Sequence, residues 1–327
     1  MKGFSELRTD GGAEPPVVVK LGGARAVDPA GAVGDVAHLV ANGRKVVVVH
    51  GGSTEVDDQL EALGREPEYV ETPGGVTGRF TDEDTMEVFE MALPGKLNTD
   101  LVVGLRNAGV DALGLSGVDG GLLTGPRKSA VRVLEDGKKK IKRGDHSGRI
   151  ESVNDALLGS LLADGYTPVL SPPMLGEEDD GSHTAVNTDA DRAAAAVAAA
   201  LGAELVVLTD VAGVYEDPDD PDTLIGAIGT PGEFAALESA AEGFMTRKVM
   251  AAEEALEGGA TAVYVSDANV RDPIIAALDG AGTRIDAAAV ADSTVADGGE
   301  EIVDGDGPNA DDGADAAGVD DIRGVGQ

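Results

Sequence analysis

Val17-Val18-Val19-Lys20-Leu21-Gly22-Gly23 and Val46-Val47-Val48-Val49-His50-Gly51-Gly52 are two short apolar runs, each opening into a pair of glycines. Runs this short and this rich in valine read as strands buried on both faces, the pattern of a parallel sheet covered by helices. A strand that ends in Gly-Gly lets backbone approach a ligand closely. The free N–H groups of the next helix start can then hold phosphate or carboxylate oxygens. One such turn is common in any α/β protein. Two on neighbouring strands converge on a single crevice at the strand C-termini.

Outward from these runs, strand and helix patterns alternate. A helix over Asp35–Asn42 ends near Gly43, and one capped by Ser53 or Thr54 runs through Leu63 and stops at Gly64. Thr81 with Asp84 reads as a capping pair, and Pro94–Ala108 is helical up to Gly109. Ala130–Leu134, the Asp136-Gly137 turn and Lys138–Lys142 form a β-hairpin. A helix over Asn154–Asp164 and a strand over Thr167–Leu170 restore the alternation. The Pro- and acid-rich stretch Ser171–His183 reads as a surface loop and a lobe boundary. Beyond it come an Ala-rich helix (Thr188–Leu201), strands Glu204–Thr209 and Ala262–Ser266, and helices Thr246–Glu257 and Asp272–Leu278. The expected class is α/β, a mainly parallel sheet between helices in two lobes, 15–183 and 184–290. A flexible arm (1–14) and a disordered acidic tail (291–327) flank them; residues 292–327 hold eleven acids against one basic residue, Arg323.

Composition narrows the function. The 327 residues carry 60 Asp+Glu and 25 Lys+Arg, a net charge of −35, which opposes a general nucleic-acid binder. With no cysteine, disulfides, thiolate metal sites and a Cys nucleophile are excluded, and the four histidines are scattered. No apolar run is long enough to span a membrane and no signal-peptide core stands at the N-terminus, so a cytoplasmic protein is expected. The acid excess with small apolar residues reads as adaptation to molar salt, a halophile's protein.

Lys20 stands in an otherwise apolar strand, where an ammonium is costly unless it meets an anion. Lys248 lies at the start of a helix in Gly243-Phe244-Met245-Thr246-Arg247-Lys248, and Asp191 in Asn187-Thr188-Asp189-Ala190-Asp191-Arg192 opens the Ala-rich helix. Two cations and an acid set among Gly-Gly turns suit phosphoryl transfer, which needs positioning and charge neutralisation more than covalent help. Neither a P-loop nor a GxGxxG is present; Gly120 and Gly125 have the P-loop spacing, but Pro126 stands where lysine is required.

Together these segments resemble the amino acid kinase superfamily, and within it the acetylglutamate kinase group, from about Val17 to Ile285. The likeness rests on Lys20–Gly23, His50–Gly52, Gly78-Arg79, Asn187-x-Asp-x-Asp191, Leu208-Thr-Asp-Val-Ala-Gly-Val214 and Gly-Phe-Met-x-x-Lys248. It implies that Lys20 and Lys248 stabilise the migrating γ-phosphoryl group and that Asp191 orients both. It implies Gly51, Gly52 and Asn187 at the acyl substrate, with Arg79 on its carboxylate. Gly22 and Gly23 would approach the phosphates, while Thr209, Asp210, Gly213, Tyr215 and Met245 would border the nucleotide. ATP and Mg²⁺ are the implied cofactors and a homodimer the implied assembly.

Four of the ten lysines fall at Lys138, Lys139, Lys140 and Lys142, followed by Arg143. With Arg79-Phe80-Thr81-Asp82 and Lys142–Arg149, they resemble the branch that phosphorylates glutamate or 2-aminoadipate carried on the small acidic protein LysW. A basic hairpin beside the active site suits an acidic carrier. The Arg-Gly-Asp triplet at 143–145 has no adhesive meaning in this setting. N-acetylglutamate as free substrate is the alternative, and a non-catalytic amino-acid sensor of the same fold a minor one.

Overall fold

The computed structural model describes residues 14–22, 29–73, 75, 77–135, 137–217, 219–240 and 244–291. The expected acidic tail and all of the arm before Glu14 lie outside these residues, as do Gly23, Asp136 and Gly243.

In chain order the strands are β1 (Val17–Leu21), β2 (Val46–His50), β3 (Tyr69–Glu71), β4 (Thr77–Arg79), β5 (Ala112–Gly117), β6 (Leu123–Glu135), β7 (Lys138–Gly148), β8 (Ser152–Val153), β9 (Thr167–Glu177), β10 (His183–Val186), β11 (Glu204–Thr209), β12 (Ala227–Ile228), β13 (Ala262–Asp267) and β14 (Thr283–Asp286). The helices are α1 (Pro29–Ala41), α2 (Ser53–Ala62), α3 (Glu83–Glu90), α4 (Asn98–Asn107), α5 (Asp155–Ala163), α6 (Ala190–Leu201), α7 (Pro231–Ala240), α8 (Phe244–Glu257) and α9 (Pro273–Leu278). One sheet runs β12-β14-β13-β11-β1-β2-β9-β6-β7, with β5 and β10 also paired to β9 and β8 to β6; β3 and β4 form a separate hairpin. The central neighbours β13, β11, β1, β2 and β9 are all parallel. Residues on either side of the expected 183/184 boundary thus contribute to the same sheet.

Strand periodicity divides the core into two layers. Val17, Val19 and Leu21 pack with Val46, Val48, Val206 and Leu208. That layer also holds Ala32, Val36, Leu105, Ile274 and Ala277 of α1, α4 and α9. Val18, Val47, Val49, Leu205 and Val207 face the other way, onto α5, α6 and α8. Burying each such valine stabilises the fold by about 1.5–3 kcal/mol. Lys20 pairs in register with Val49 and Val207, so its side chain belongs to the α6/α8 layer. Ala193, Ala194, Ala195 and Ala198 of α6 are almost wholly buried, as are Ala251, Ala252 and Ala255 of α8. Without long side chains in the way, α6 approaches both α8 and β1 closely enough for Asp191 on α6 to meet a lysine from each.

Three local expectations need correction. Ser171–His183 is not a loop: β9 continues to Glu177, buried through most of its length, and β10 already starts at His183. The two prolines sit where pairing with β5 slips, between Ser116 and Gly117, so their missing N–H groups cost no ladder bonds. Helix Pro94–Ala108 does not start at its proline. A π-helical stretch, Met91–Leu97, joins α3 to α4, and the wider turn accommodates Pro94. The caps also differ. Asp82, not Thr81, caps α3 by accepting from Thr85 N at 2.8 Å, and Thr81 is fully buried. Gly52, without a side-chain cap, precedes α2.

Candidate active site

β1 and β2 end at the same level, Leu21 lying in register with His50 and with Leu208, one residue before the end of β11. Gly22 and Gly51 therefore leave the sheet beside Thr209, the last residue of β11. A Cβ on Gly52 would run into Leu93 and Leu97, and one on Gly51 would lie 3.3 Å from the Ala190 methyl at the start of α6. Glycine here lets α2 begin against the π-helical stretch and brings its uncapped N–H groups to the mouth of α6.

That mouth holds the charged centre. Asp189 caps α6, accepting from Asp191 N at 2.8 Å and Arg192 N at 3.2 Å, which places the next carboxylate, Asp191, over β1. Lys20 Nζ lies 2.6 Å from Asp191 Oδ1, and Lys248 Nζ lies 3.6 Å from Oδ2. All three side chains are 7–14 % exposed. Burial pushes the Asp191 carboxyl up, but Lys20 and then Lys248 outweigh it and hold it below the usual carboxylate range. Lys248 is lowered by burial and by the Lys20 charge, against the pull of Asp191. The result is a carboxylate shared by two ammonium groups. Its net charge of +1 at the sheet's C-terminal edge suits an incoming polyanion.

The glycine turn of β2 is braced from behind. His50 is buried, and burial lowers its pKa to about 4, partly opposed by its bond to Gly51, so the ring is neutral at pH 7. Nδ1 lies 2.9 Å from the Gly51 carbonyl and Nε2 3.1 Å from Asn98 Nδ2. The proton thus belongs on Nδ1, where it fixes the Gly51 carbonyl direction. Asn98 Nδ2 also donates to Val169 O at 2.8 Å, tying the turn to α4 and β9.

Arg79 ends β4 with its guanidinium paired to Asp57 and donating to Ser53 O at 3.0 Å, stacked on Tyr69 at 5.1 Å. It therefore stands at the first turn of α2. Asn187 donates from Nδ2 to Thr81 Oγ1 at 2.9 Å. Thr209 donates to Asp210 Oδ1 at 3.1 Å. Gly213 packs so tightly that a Cβ would lie 2.6 Å from Thr283 Oγ1, which accepts from Val214 N at 2.8 Å. Tyr215 bridges to Leu224, closing the loop after β11. Met245 sits one turn before Lys248 on α8 and packs on the α6/α8 core.

The basic hairpin is β6–β7, longer than its sequence predicts. Register divides its cations between two faces. Lys138, Lys140 and Lys142 alternate on one face, where Lys140 pairs with Glu135 at 2.6 Å and Lys142 pairs with Glu68 and lies 4.1 Å from the Phe80 ring centre. Lys139 and Arg143 share the other face with Arg132 and with Ile141, which is 65 % exposed. Neither Lys139 nor Arg143 has an ion pair among the described residues. Asp145 of the Arg-Gly-Asp triplet is buried and unavailable for adhesion.

Residues 15–267 match the amino acid kinase family. The chain belongs to that family. It is similar to the LysW-aminoadipate kinase of Thermus thermophilus, 45 % identical over 274 residues, covering 82 % of this chain and 99 % of the relative. It is 42 % identical over 253 residues to the acetylglutamate kinase of Methanopyrus kandleri, covering 76 % and 94 %. Among solved structures, N-acetylglutamate synthase of Neisseria gonorrhoeae matches with a TM-score of 0.66 at 26 % identity over 83 % of this chain; the chain spans 59 % of that longer protein. Carbamate kinase of Giardia lamblia shares the fold alone, with a TM-score of 0.59, 18 % identity and 84 % and 99 % coverage. The sequence motifs contain His50, Thr81 and Asp189 without assigning them these contacts, and include neither Asp57 nor Asn98. Asp189, a helix-capping aspartate before an Ala-rich run, carries the plainest local signal.

Proposed function

We propose that this kinase transfers the γ-phosphoryl group of ATP to the side-chain carboxylate of glutamate or 2-aminoadipate borne on an acidic LysW-type carrier, serving arginine or lysine biosynthesis. The acceptor oxygen forms a bond to phosphorus as the bridging bond to ADP breaks, giving an acyl phosphate. The observation that carries the kinase reading is the pair of lysines on Asp191, 2.6 and 3.6 Å away. In this reading both ammonium groups face the transferring phosphoryl and Asp191 fixes their spacing, while the first turn of α2, with Gly51 and Gly52, holds the acyl group. Arg79 would share its guanidinium between Asp57 and the acceptor's free carboxylate. Gly22 and the loop from Thr209 through Asp210 and Gly213 to Tyr215 would border ATP, as would Met245. Among the described residues no three His, Asp or Glu side chains converge as a metal cage, and Asp191 is already neutralised. That donor set fits Mg²⁺ carried on the triphosphate and water, supplying charge neutralisation to the phosphates.

The relatives named for LysW and the unpaired cations on the outer face of β7 favour the carrier. The acetylglutamate kinase relative keeps free N-acetylglutamate as the second reading. Offering ATP with each acceptor and trapping the acyl phosphate with hydroxylamine decides between them; turnover of the free acid alone rejects the carrier. Charge reversal of Lys139 and Arg143 together is expected to raise KM for the carrier conjugate at least tenfold, since removing each rim charge weakens docking. KM for ATP should stay unchanged, and an equal loss with free N-acetylglutamate would remove the docking role.

The acceptor is assigned to residues 15–183 and ATP to 184–290. No helix among the described residues is long and apolar enough to cross a membrane, and a cytoplasmic biosynthetic role is part of the proposal. So is a homodimer: Val103 of α4 is 53 % exposed beside Gly114 and Leu115 of β5, whose outer edge has no partner among the described strands.

A further inference from the structure

Thr81 is fully buried, and its hydroxyl oxygen, carbonyl and N–H each have a hydrogen-bond partner. Its Oγ1 accepts from Asn187 Nδ2 at 2.9 Å, its carbonyl accepts from His146 N at 2.7 Å, and its N–H donates to Asp145 Oδ1 at 3.4 Å. Asp145, 1 % exposed, accepts from Ser147 Oγ through its other oxygen. Asn187 in turn donates from its backbone to His146 O at 2.7 Å and accepts from Gly148 N at 2.8 Å. Three segments far apart in sequence, the β4–α3 connection, the base of β7 and the turn before α6, are therefore one hydrogen-bonded joint. Asn187 lies only four positions before Asp191.

The joint settles which end of the Asn187 carboxamide faces outward. With Nδ2 held by Thr81, Oδ1 has no protein partner among the described residues and is presented as an acceptor. A carbonyl oxygen in that place recognises an amide N–H, the group that a glutamate or aminoadipate acquires when its amino nitrogen is acylated. A free α-ammonium would bring three N–H donors and a full charge, which one neutral carbonyl oxygen does not balance.

We infer that Thr81 is a positioning residue for the acyl acceptor, acting through Asn187, and that Asp145 locks the same joint to the base of the basic hairpin. The inference rests on the assignment of Asn187 to the acceptor, and it holds for a carrier-bound or a free acylated substrate. Thr81→Val keeps the shape and removes the hydroxyl. The carboxamide is then free to turn, and KM for the acylated acceptor is expected to rise about tenfold, the scale of one lost hydrogen bond. kcat and KM for ATP should move less than about twofold, and Thr81→Ser should restore the wild-type KM, which a merely structural defect would not give. Asp145→Asn is expected to raise the same KM. Because both act through one joint, the double variant should be no worse than the more severe single one. Unchanged KM in Thr81→Val, failure of Thr81→Ser to restore it, or additive losses in the double variant would each overturn the inference. Both acceptors are measured. If wild type phosphorylates only free N-acetylglutamate, the carrier reading falls, while the KM shift for that free acid still decides the role of Thr81.

Discussion

Lys20→Ala is expected to lower kcat by about a thousandfold while changing ATP affinity little, because removing one preorganised donor to transition-state charge costs on this scale. The charge on a transferring phosphoryl group spreads over its equatorial oxygens, and in the proposed mechanism Lys20 and Lys248 share it. Lys248 Nζ, 3.6 Å from the same carboxylate, stays bound to Asp191 and is drawn further towards it once Lys20 is gone. The fold should survive. The substitution removes a buried cation from a layer otherwise made of Val18, Val49 and Val207, and Asp191 keeps one counter-ion. Removing Asp191 instead would leave two buried ammonium groups with nothing between them, and breaking a buried pair in that way costs about 3–5 kcal/mol. The measurement is acyl-phosphate formation at saturating ATP and acceptor, beside a thermal melt of each variant. A Lys20→Ala enzyme with unaltered kcat would remove the ammonium pair from the reaction.

The charged centre was legible because its parts break local rules. A lysine inside Val17–Leu21 contradicts the strand around it, and that contradiction is what an anion resolves. The Gly51-Gly52 pair after β2 was equally plain, and a Cβ at Gly52 would indeed collide with Leu93 and Leu97. What was illegible depended on tertiary partners. Thr81 reads as a helix cap by its spacing to Asp84, and nothing local reveals that Asn187 and His146 claim it instead. The resemblance gives Arg79 to the substrate's carboxylate, and nothing local reveals that Asp57 of α2 also engages it. The stretch Ser171–His183 reads as loop from its proline and acid content, because the slip in register that accommodates Pro172 and Pro173 belongs to β5. The lysines of β7 look alike in sequence, and only cross-strand register separates Lys140 and Lys142, which find acids, from Lys139 and Arg143.

A net charge of −35 makes the second large effect a matter of solvent. At 0.1 M salt the screening length is about 10 Å, longer than the spacing of neighbouring surface carboxylates, so their repulsions sum over the whole surface; at 1 M it is about 3 Å and they fall away. The interior offers little to resist that repulsion. Aromatics are 3 % of the chain, and where α6 meets α8 the core is largely alanine. We therefore expect stability to rise by several kcal/mol between 0.1 and 3 M KCl, on the order of 10 °C or more in Tm for a chain of this size. The centre at Asp191 should be nearly indifferent to the same change, being buried and paired at contact distance, so kcat per folded molecule should vary much less than the folded fraction. Contact pairs between the proposed docking face of β7 and an acidic carrier would weaken with salt but not vanish, so recognition there would depend on touching rather than on steering from a distance. Sodium sulfate at matched ionic strength separates screening from general exclusion of salt from the surface, since sulfate strengthens burial in any protein. A melting temperature that stays flat or falls from 0.1 to 3 M KCl would sink the halophile reading and leave the acid excess without a physical purpose.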